Sequence, residues 1–306
     1  MTLAIVTHPA CLEHFMGRDH PERPARLKTV LRLIGEPPFD SLPRFVAPRA
    51  TGIQLRRAHG EDYVQKLVDL SPPEGLVALD PDTYMGPASL EAGLRAAGAV
   101  CLAVDQIKAG AAGRVFCAVR PPGHHAERSR AMGFCLFNNV AVGTLHALEA
   151  HHLNRVAIVD FDVHHGNGTQ AIFQADPRVL YLSSHQSPLF PGTGEPDSGN
   201  EHVVDAALPP GSGSDEFRSA WADELLPALE DFQPEMIFVS AGFDGHRDDP
   251  LAQLELEHED FAWITRRLRE AADRSAQGRL VSTLEGGYDL DALRECVAAH
   301  LIVLMD

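Results

Sequence analysis

The sequence predicts an α/β domain with a largely parallel central sheet and helices on both faces. Three observations carry that expectation. Short, nearly all-apolar runs rich in β-branched residues alternate with longer amphipathic runs, the pattern of doubly covered strands joined by helical crossovers. Clusters of Pro and Gly fall between the runs, at residues 72–73, 121–123, 188–194 and 209–213, and read as loops inside one unit. The 306 residues contain no internal repeat, low-complexity tract or long linker, so a single domain over 1–306 is expected.

Each element has its own reason. Residues 3–6 open the chain as a strand. Residues 24–34 follow as a helix, with proline in the first turn, where a missing N–H costs nothing. Residues 90–108 form a long alanine-rich helix, the composition of highest helix propensity. Residues 115–119, 156–159, 179–183, 236–240 and 280–284 are brief and apolar, as buried strands are. Residues 138–150, 215–230, 259–276 and 290–304 carry the helical spacing between and after them. In such sheets, ligands bind beyond the carboxyl ends of the strands, so chemistry is sought there.

Apolar residues make up 44% and charged residues 23%, the balance of a soluble globular protein. The net charge of −17 argues against direct nucleic-acid binding and favours cationic partners, unless it serves solubility alone. Five cysteines, an odd number without a C-x-x-C pair, fit free thiols in a reducing cytoplasm. No apolar run is long enough to span a membrane, and the opening MTLAIVTHPA lacks the basic lead-in and length of a signal peptide. A cytoplasmic location is expected.

The run Asp160-Phe161-Asp162-Val163-His164-His165-Gly166-Asn167-Gly168 follows an apolar strand. Alternation puts Asp160, Asp162 and His164 on one face. Buried there unpaired, the two carboxylates would cost several kcal/mol, on the order of 2–7 even for a neutral polar group. A divalent metal compensates them; a capped surface loop with Asp–Arg pairing is the alternative. Asp244, between Gly242 and Gly245 after the strand 236–240, is either a third ligand or a turn residue. Three ligands with an open position describe a catalytic metal, and the O/N donor set suits zinc or Fe(II) alike. His124-His125, on the proline-stiffened loop Arg120-Pro121-Pro122-Gly123, offer a general base with an electrostatic partner, further ligands, or core histidines. Tyr288, after Glu285-Gly286-Gly287, can present a phenol to an oxyanion or simply pack on a turn.

Together these segments resemble the histone deacetylase family, and within it the class II branch. The resemblance begins at Asp19-His20-Pro21-Glu22-Arg23-Pro24-Ala25-Arg26. It continues through residues 120–125, Gly133-Phe134-Cys135, residues 160–168, Phe190-Pro191-Gly192-Thr193-Gly194, residues 240–244 and residues 284–288. It implies an arginase-like α/β fold and one catalytic zinc on Asp162, His164 and Asp244. It implies that His125 is general base and then general acid, with His124 beside the acyl carbonyl and Asp160 hydrogen-bonded to His124. Asn167 would serve His125; class I relatives carry Asp there. Without that carboxylate, His125 should stay neutral more easily. Tyr288 matches the tyrosine that polarises the acyl oxygen. Phe134, next to Gly133, and Phe190 match the walls of a narrow tunnel for the lysine stem, with Asp82 and Leu251 at the rim. Arg26 would line the region behind the metal. A monovalent cation, K⁺ or Na⁺, would be held by backbone groups of Asp160, Asp162, His164 and Ser184 and the side chains of Asp160 and Ser183.

The function expected is zinc-dependent hydrolysis of acyl-lysine amides in peptides or proteins. An acetylpolyamine amidohydrolase is the nearest alternative. One polyamine-selective branch places a glutamate after its D-P pair, whereas here Asp249-Pro250 leads to Leu251. A binuclear manganese hydrolase would need extra ligands, for which only His165 and His246 are spare. A non-catalytic acyl-lysine binder is the alternative from another class.

Overall fold

The computed structural model describes residues 2–195 and 198–306. In chain order the strands are β1 (Leu3–Thr7), β2 (Arg44–Val46), β3 (Val77–Asp80), β4 (Thr83–Met85), β5 (Arg114–Cys117), β6 (Val156–Asp160), β7 (Val179–Gln186), β8 (Val203–Leu208), β9 (Ile237–Ala241) and β10 (Leu280–Leu284). The helices are α1 (Pro24–Leu33), α2 (Gly52–Ala58), α3 (Glu61–Leu70), α4 (Ser89–Lys108), α5 (Asn139–His151), α6 (Asn167–Phe173), α7 (Ser214–Ala220), α8 (Leu226–Phe232), α9 (His258–Ser275) and α10 (Leu290–Met305).

Eight strands form one sheet in the order β2-β1-β5-β10-β9-β6-β7-β8, every adjacent pair parallel. The expected α/β class with a parallel sheet flanked by helices is the observed one. The strands β5, β6, β9 and β10 are buried along their whole length, which is why they read as largely apolar runs. Helices α4 and α5 pack on each other and on β1, β5, β6 and β9, while α1, α9 and α10 form a second packed group. All five cysteines are buried and free.

The differences from expectation are three helices that no expected element covers, α2, α3 and α6, together with the edge strands, a hairpin and one interrupted helix. Strand β2 is three residues long and partly exposed, and β8 is an edge strand carrying Asp205, so neither shows an all-apolar run. Among the described residues the antiparallel pairing between strands is the hairpin β3–β4, separate from the main sheet. The helix expected over 215–230 is interrupted by a π turn at Trp221–Leu225 between α7 and α8. Pro227 at the start of α8 has no N–H to continue an α-helical ladder, and the wider turn absorbs the fault.

Under the carboxyl edge of the sheet sits a fully buried charge cluster. The carboxylate of Glu22 accepts from Arg120, and from Arg26 Nη1 at 3.1 Å. Burial alone would raise the Glu22 pKa, but the charges of Arg120 and its neighbours pull it down to about 2. A depressed carboxylate contributes stability that is complete above its ordinary 4.5 and is lost as pH falls towards 2. Replacing Glu22 with Ala strands two buried guanidinium groups. Urea unfolding of Glu22→Ala is expected to show a loss of about 3–5 kcal/mol at neutral pH; an unchanged midpoint would contradict the pairing.

Candidate functional site

Parallel pairing makes the site. Strands β5, β10, β9 and β6 are neighbours in that order, so all four carboxyl ends emerge together. The segments that follow them carry His124 and His125, Tyr288, Asp244, and the Asp160–His164 run. As alternation requires, Asp160, Asp162 and His164 turn into the site. Phe161 turns the other way, against Phe243 at 5.9 Å and Phe261 of α9 at 6.0 Å between ring centroids.

Asp162, His164 and Asp244 are buried, with one donor atom each inside a 4.8 Å group. His164 Nδ1 lies 3.1 Å from Asp162 Oδ1 and 3.1 Å from Asp244 Oδ2. The remaining carboxylate oxygens accept backbone N–H groups: Gly286 to Asp162 Oδ2 at 2.8 Å, and Val163 to Asp244 Oδ1 at 3.0 Å. Burial alone would lower the His164 pKa, but hydrogen bonds to Asp162 and Asp244 hold it up, at about 10. Burial and the charge of Asp162 push Asp244 up. These groups together call for positive charge at one point. Two oxygens and one imidazole nitrogen, with His164 lining the cleft, suit a divalent transition metal. Gly286 makes the closeness possible, because a Cβ there would sit 2.0 Å from Asp244 Oδ2.

The two histidines, with ring centroids 4.0 Å apart, are tuned in opposite directions. His124 Nδ1 donates to Asp160 Oδ2 at 3.0 Å. Burial would lower its pKa, but the charges of Asp160 and Asp162 raise it to about 10. His125 Nδ1 meets Asn167 Oδ1 at 2.9 Å, and Asn167 Nδ2 donates to Glu127 at 2.9 Å. That chain orients the amide, so His125 carries its proton on Nδ1 and keeps the Nε2 lone pair free. Burial, then the charges of His124 and His164, lower the His125 pKa well below its ordinary value. Tyr288 is buried beneath the Arg26 guanidinium, 4.7 Å from its ring centroid. Burial pushes its phenol well up, so it stays protonated and able to donate.

One cleft collects these groups. Asp82, His124, His125, Gly133, Phe134, His164, Phe190, Leu251 and Tyr288 all line it. Asp82 comes from the turn of the β3–β4 hairpin, and its backbone oxygen meets His20 Nε2 at 3.0 Å. Phe134 has φ 68°, a left-handed conformation that costs a bulky residue about 1–2 kcal/mol. It is fixed by Thr83 Oγ1, which accepts its N–H at 3.0 Å, and by the His20 ring at 4.6 Å. Gly133 also has positive φ, and a Cβ there would strike the His125 ring at 2.3 Å. Arg26 donates to the backbone oxygens of Glu285 and Gly287, behind the ligand cluster. Ser183 pairs in register with Asp160, and its hydroxyl bonds His185 Nδ1 at 2.9 Å. Ser184 Oγ accepts from Trp221.

Two buried acids were missed in the sequence. Glu285 accepts from the N–H groups of Gly123 at 2.6 Å and His124 at 3.2 Å, tying the tyrosine turn to the histidine loop. Asp249 accepts from Tyr288 N at 2.6 Å, Asp289 N at 3.3 Å and Leu251 N at 3.1 Å. Their only sequence signal is a carboxylate beside a strand end or a proline, which does not reveal a backbone partner. The spare histidines turn away from the ligand cluster: His165 Nδ1 bonds Thr193 Oγ1 at 2.7 Å, and His246 lies between Asp248 and Glu257.

Residues 20–304 match the family model of the histone deacetylase domain. A histone deacetylase-like amidohydrolase of Pseudomonas aeruginosa is 40% identical over 290 residues, covering 92% of this chain and 74% of that protein. Type-2 histone deacetylase 2 of Dictyostelium discoideum is 36% identical over 100% of this chain, which spans only 21% of that longer protein. The crystal structure of the HDA15 HD domain matches with a TM-score of 0.91 at 33% identity, covering 99% of this chain and 89% of that one. The ligand cluster gives a direct test. Gly286→Ala is expected to fold but to lose its metal in elemental analysis, as Asp162→Ala should; full occupancy in both would dissolve the ligand set.

Proposed function

Because this chain belongs to the histone deacetylase family, whose members hydrolyse amides, we propose that it removes acyl groups from lysine side chains of peptides or proteins, using one zinc ion held by Asp162, His164 and Asp244. The observation that carries this reading is the convergence of His125, Tyr288 and the ligand histidine His164 on one cleft walled by Phe134 and Phe190. The chemistry a bound zinc supplies is a lowered pKa for water, towards about 7, and polarisation of the acyl oxygen.

The rest belongs to side chains of this protein. Phe134 and Phe190 flank the apolar stem of the substrate and exclude water from it. His125 Nε2 takes the proton from the attacking water and then gives it to the leaving amine. The Tyr288 hydroxyl donates to the oxygen that becomes negative. His124, held cationic by Asp160, favours that same negative charge. We also propose a monovalent cation on the far side of Asp160, held with Ser183 and the backbone of Asp162, His164 and Ser184. The register pairing of Asp160 with Ser183 supports it.

Leu251 favours an acyl-lysine over an acetylated polyamine. A second ammonium needs a carboxylate partner, and after Asp249-Pro250 the mouth offers the apolar Leu251, leaving Asp82 as the carboxylate in the lining. Turnover of acetyl-lysine peptides should exceed that of N-acetylated putrescine and spermidine. The reverse order would assign the enzyme to polyamines, and acetyl-ligand binding without acetate release would make it a binder.

Tyr288→Phe is expected to keep its metal and lose roughly 10²–10³ in kcat; undiminished turnover would remove the phenol from the mechanism. Asn167→Asp places a carboxylate against His125 Nδ1 and raises its pKa. The base works only when neutral, so the acid limb of kcat/KM should move to higher pH in that variant. An unmoved limb would mean that His125 is not the titrating base.

A further inference from the structure

A second convergence of ligand atoms lies outside the cleft. Asp105 sits in the last turn of α4, and His146 and His151 lie on α5, which packs along it. His146 Nε2 is 2.8 Å and His151 Nε2 is 2.6 Å from the same oxygen, Asp105 Oδ1. The imidazole rings stand at 85° with centroids 5.3 Å apart, so both nitrogens aim at one point from different directions. The three donor atoms fall inside the same 4.8 Å limit as the catalytic set. None of the three residues lines the substrate cleft.

We propose that Asp105, His146 and His151 form a second site for a divalent transition metal of the zinc class, which clamps the end of α4 to the end of α5. One carboxylate oxygen and two imidazole nitrogens are a zinc donor set, and water completes it. Without metal, two imidazole N–H groups share one oxygen. With metal, each imidazole carries its proton on Nδ1 instead, and both Nε2 lone pairs bind. Bonds of about 2.0–2.2 Å set the donors of a tetrahedral ion more than 3 Å apart, so the group opens by roughly half an ångström. The side chains of Asp105 and His151 are 45% and 23% exposed, which leaves them room to move.

One contact opposes the ion. Arg57 Nη1 lies 3.3 Å from His146 Nδ1, and by donating there it holds the proton on Nε2. Metal binding puts that proton on Nδ1 and turns the half-buried guanidinium out to solvent. The site should therefore be weaker than the buried one, fill only in excess metal, and strengthen when Arg57 is removed.

The test uses the full chain, loaded with its catalytic metal and dialysed against rising Zn²⁺, with elemental analysis and thermal unfolding. The wild type should pass from one to two zinc ions per chain, and its Tm should rise with the second. His146→Ala/His151→Ala should stay at one ion, keep the amide-hydrolysing activity, and show no zinc-dependent rise in Tm. Should that double variant fold poorly, Asp105→Asn provides the same comparison. Arg57→Gln should reach two ions at lower free zinc. Asp162→Ala should lose the first ion and keep the second, which separates this proposal from the function of the cleft. A wild type that never exceeds one ion in high-micromolar zinc, or ligand variants that still bind a second, would overturn it.

Discussion

Two aspartates, Asp162 and Asp244, are buried within reach of a single imidazole, and the site follows from the need to compensate them. Carboxylates removed from water survive only beside positive charge and hydrogen-bond donors. The fold supplies the donors from its backbone, through Gly286 and Val163, and sets the His164 imidazole against both carboxylates, the donor set of a candidate metal site. The apolar layer of Phe161, Phe243 and Phe261 beneath the strand end keeps water from relaxing that demand.

Around this centre, charge alternates from group to group. Glu22 pairs with both Arg26 and Arg120, and Arg26 in turn reaches two carbonyls of the tyrosine turn. Glu285 of that turn accepts from the backbone of the histidine loop, and Asp249 accepts from Tyr288 itself. Four segments far apart in the chain are thus fastened by side chain to backbone bonds, which fix loops without depending on loop sequence.

Adjacent residues of one type can still perform different tasks. His124 faces a carboxylate and is held cationic; His125 faces an amide and is held neutral. Both are buried, so burial does not distinguish them. The neighbouring charges do: Asp160 and Asp162 raise His124, whereas His124 and His164 lower His125.

Much of this was legible in the residues. Apolar β-branched runs gave the buried strands, and the alternation of Asp160, Asp162 and His164 gave their shared face, because both depend only on near neighbours along the chain. The edge strands, the hairpin, the short helices α2, α3 and α6 and the π turn at Trp221–Leu225 escaped, since short or half-exposed elements lack a clean pattern and a helical fault depends on one proline. The roles of Glu285 and Asp249 escaped as well, because their partners are backbone groups that no residue type announces. What the sequence determined by itself was which side chains a strand end presents, and so the kind of chemistry available. What only the tertiary structure decided was adjacency: β10 and β9 lie between β5 and β6, and Asp244 meets His164 across 80 residues. Strand order is a long-range packing outcome, and a buried polar group takes its character from whatever that order places against it.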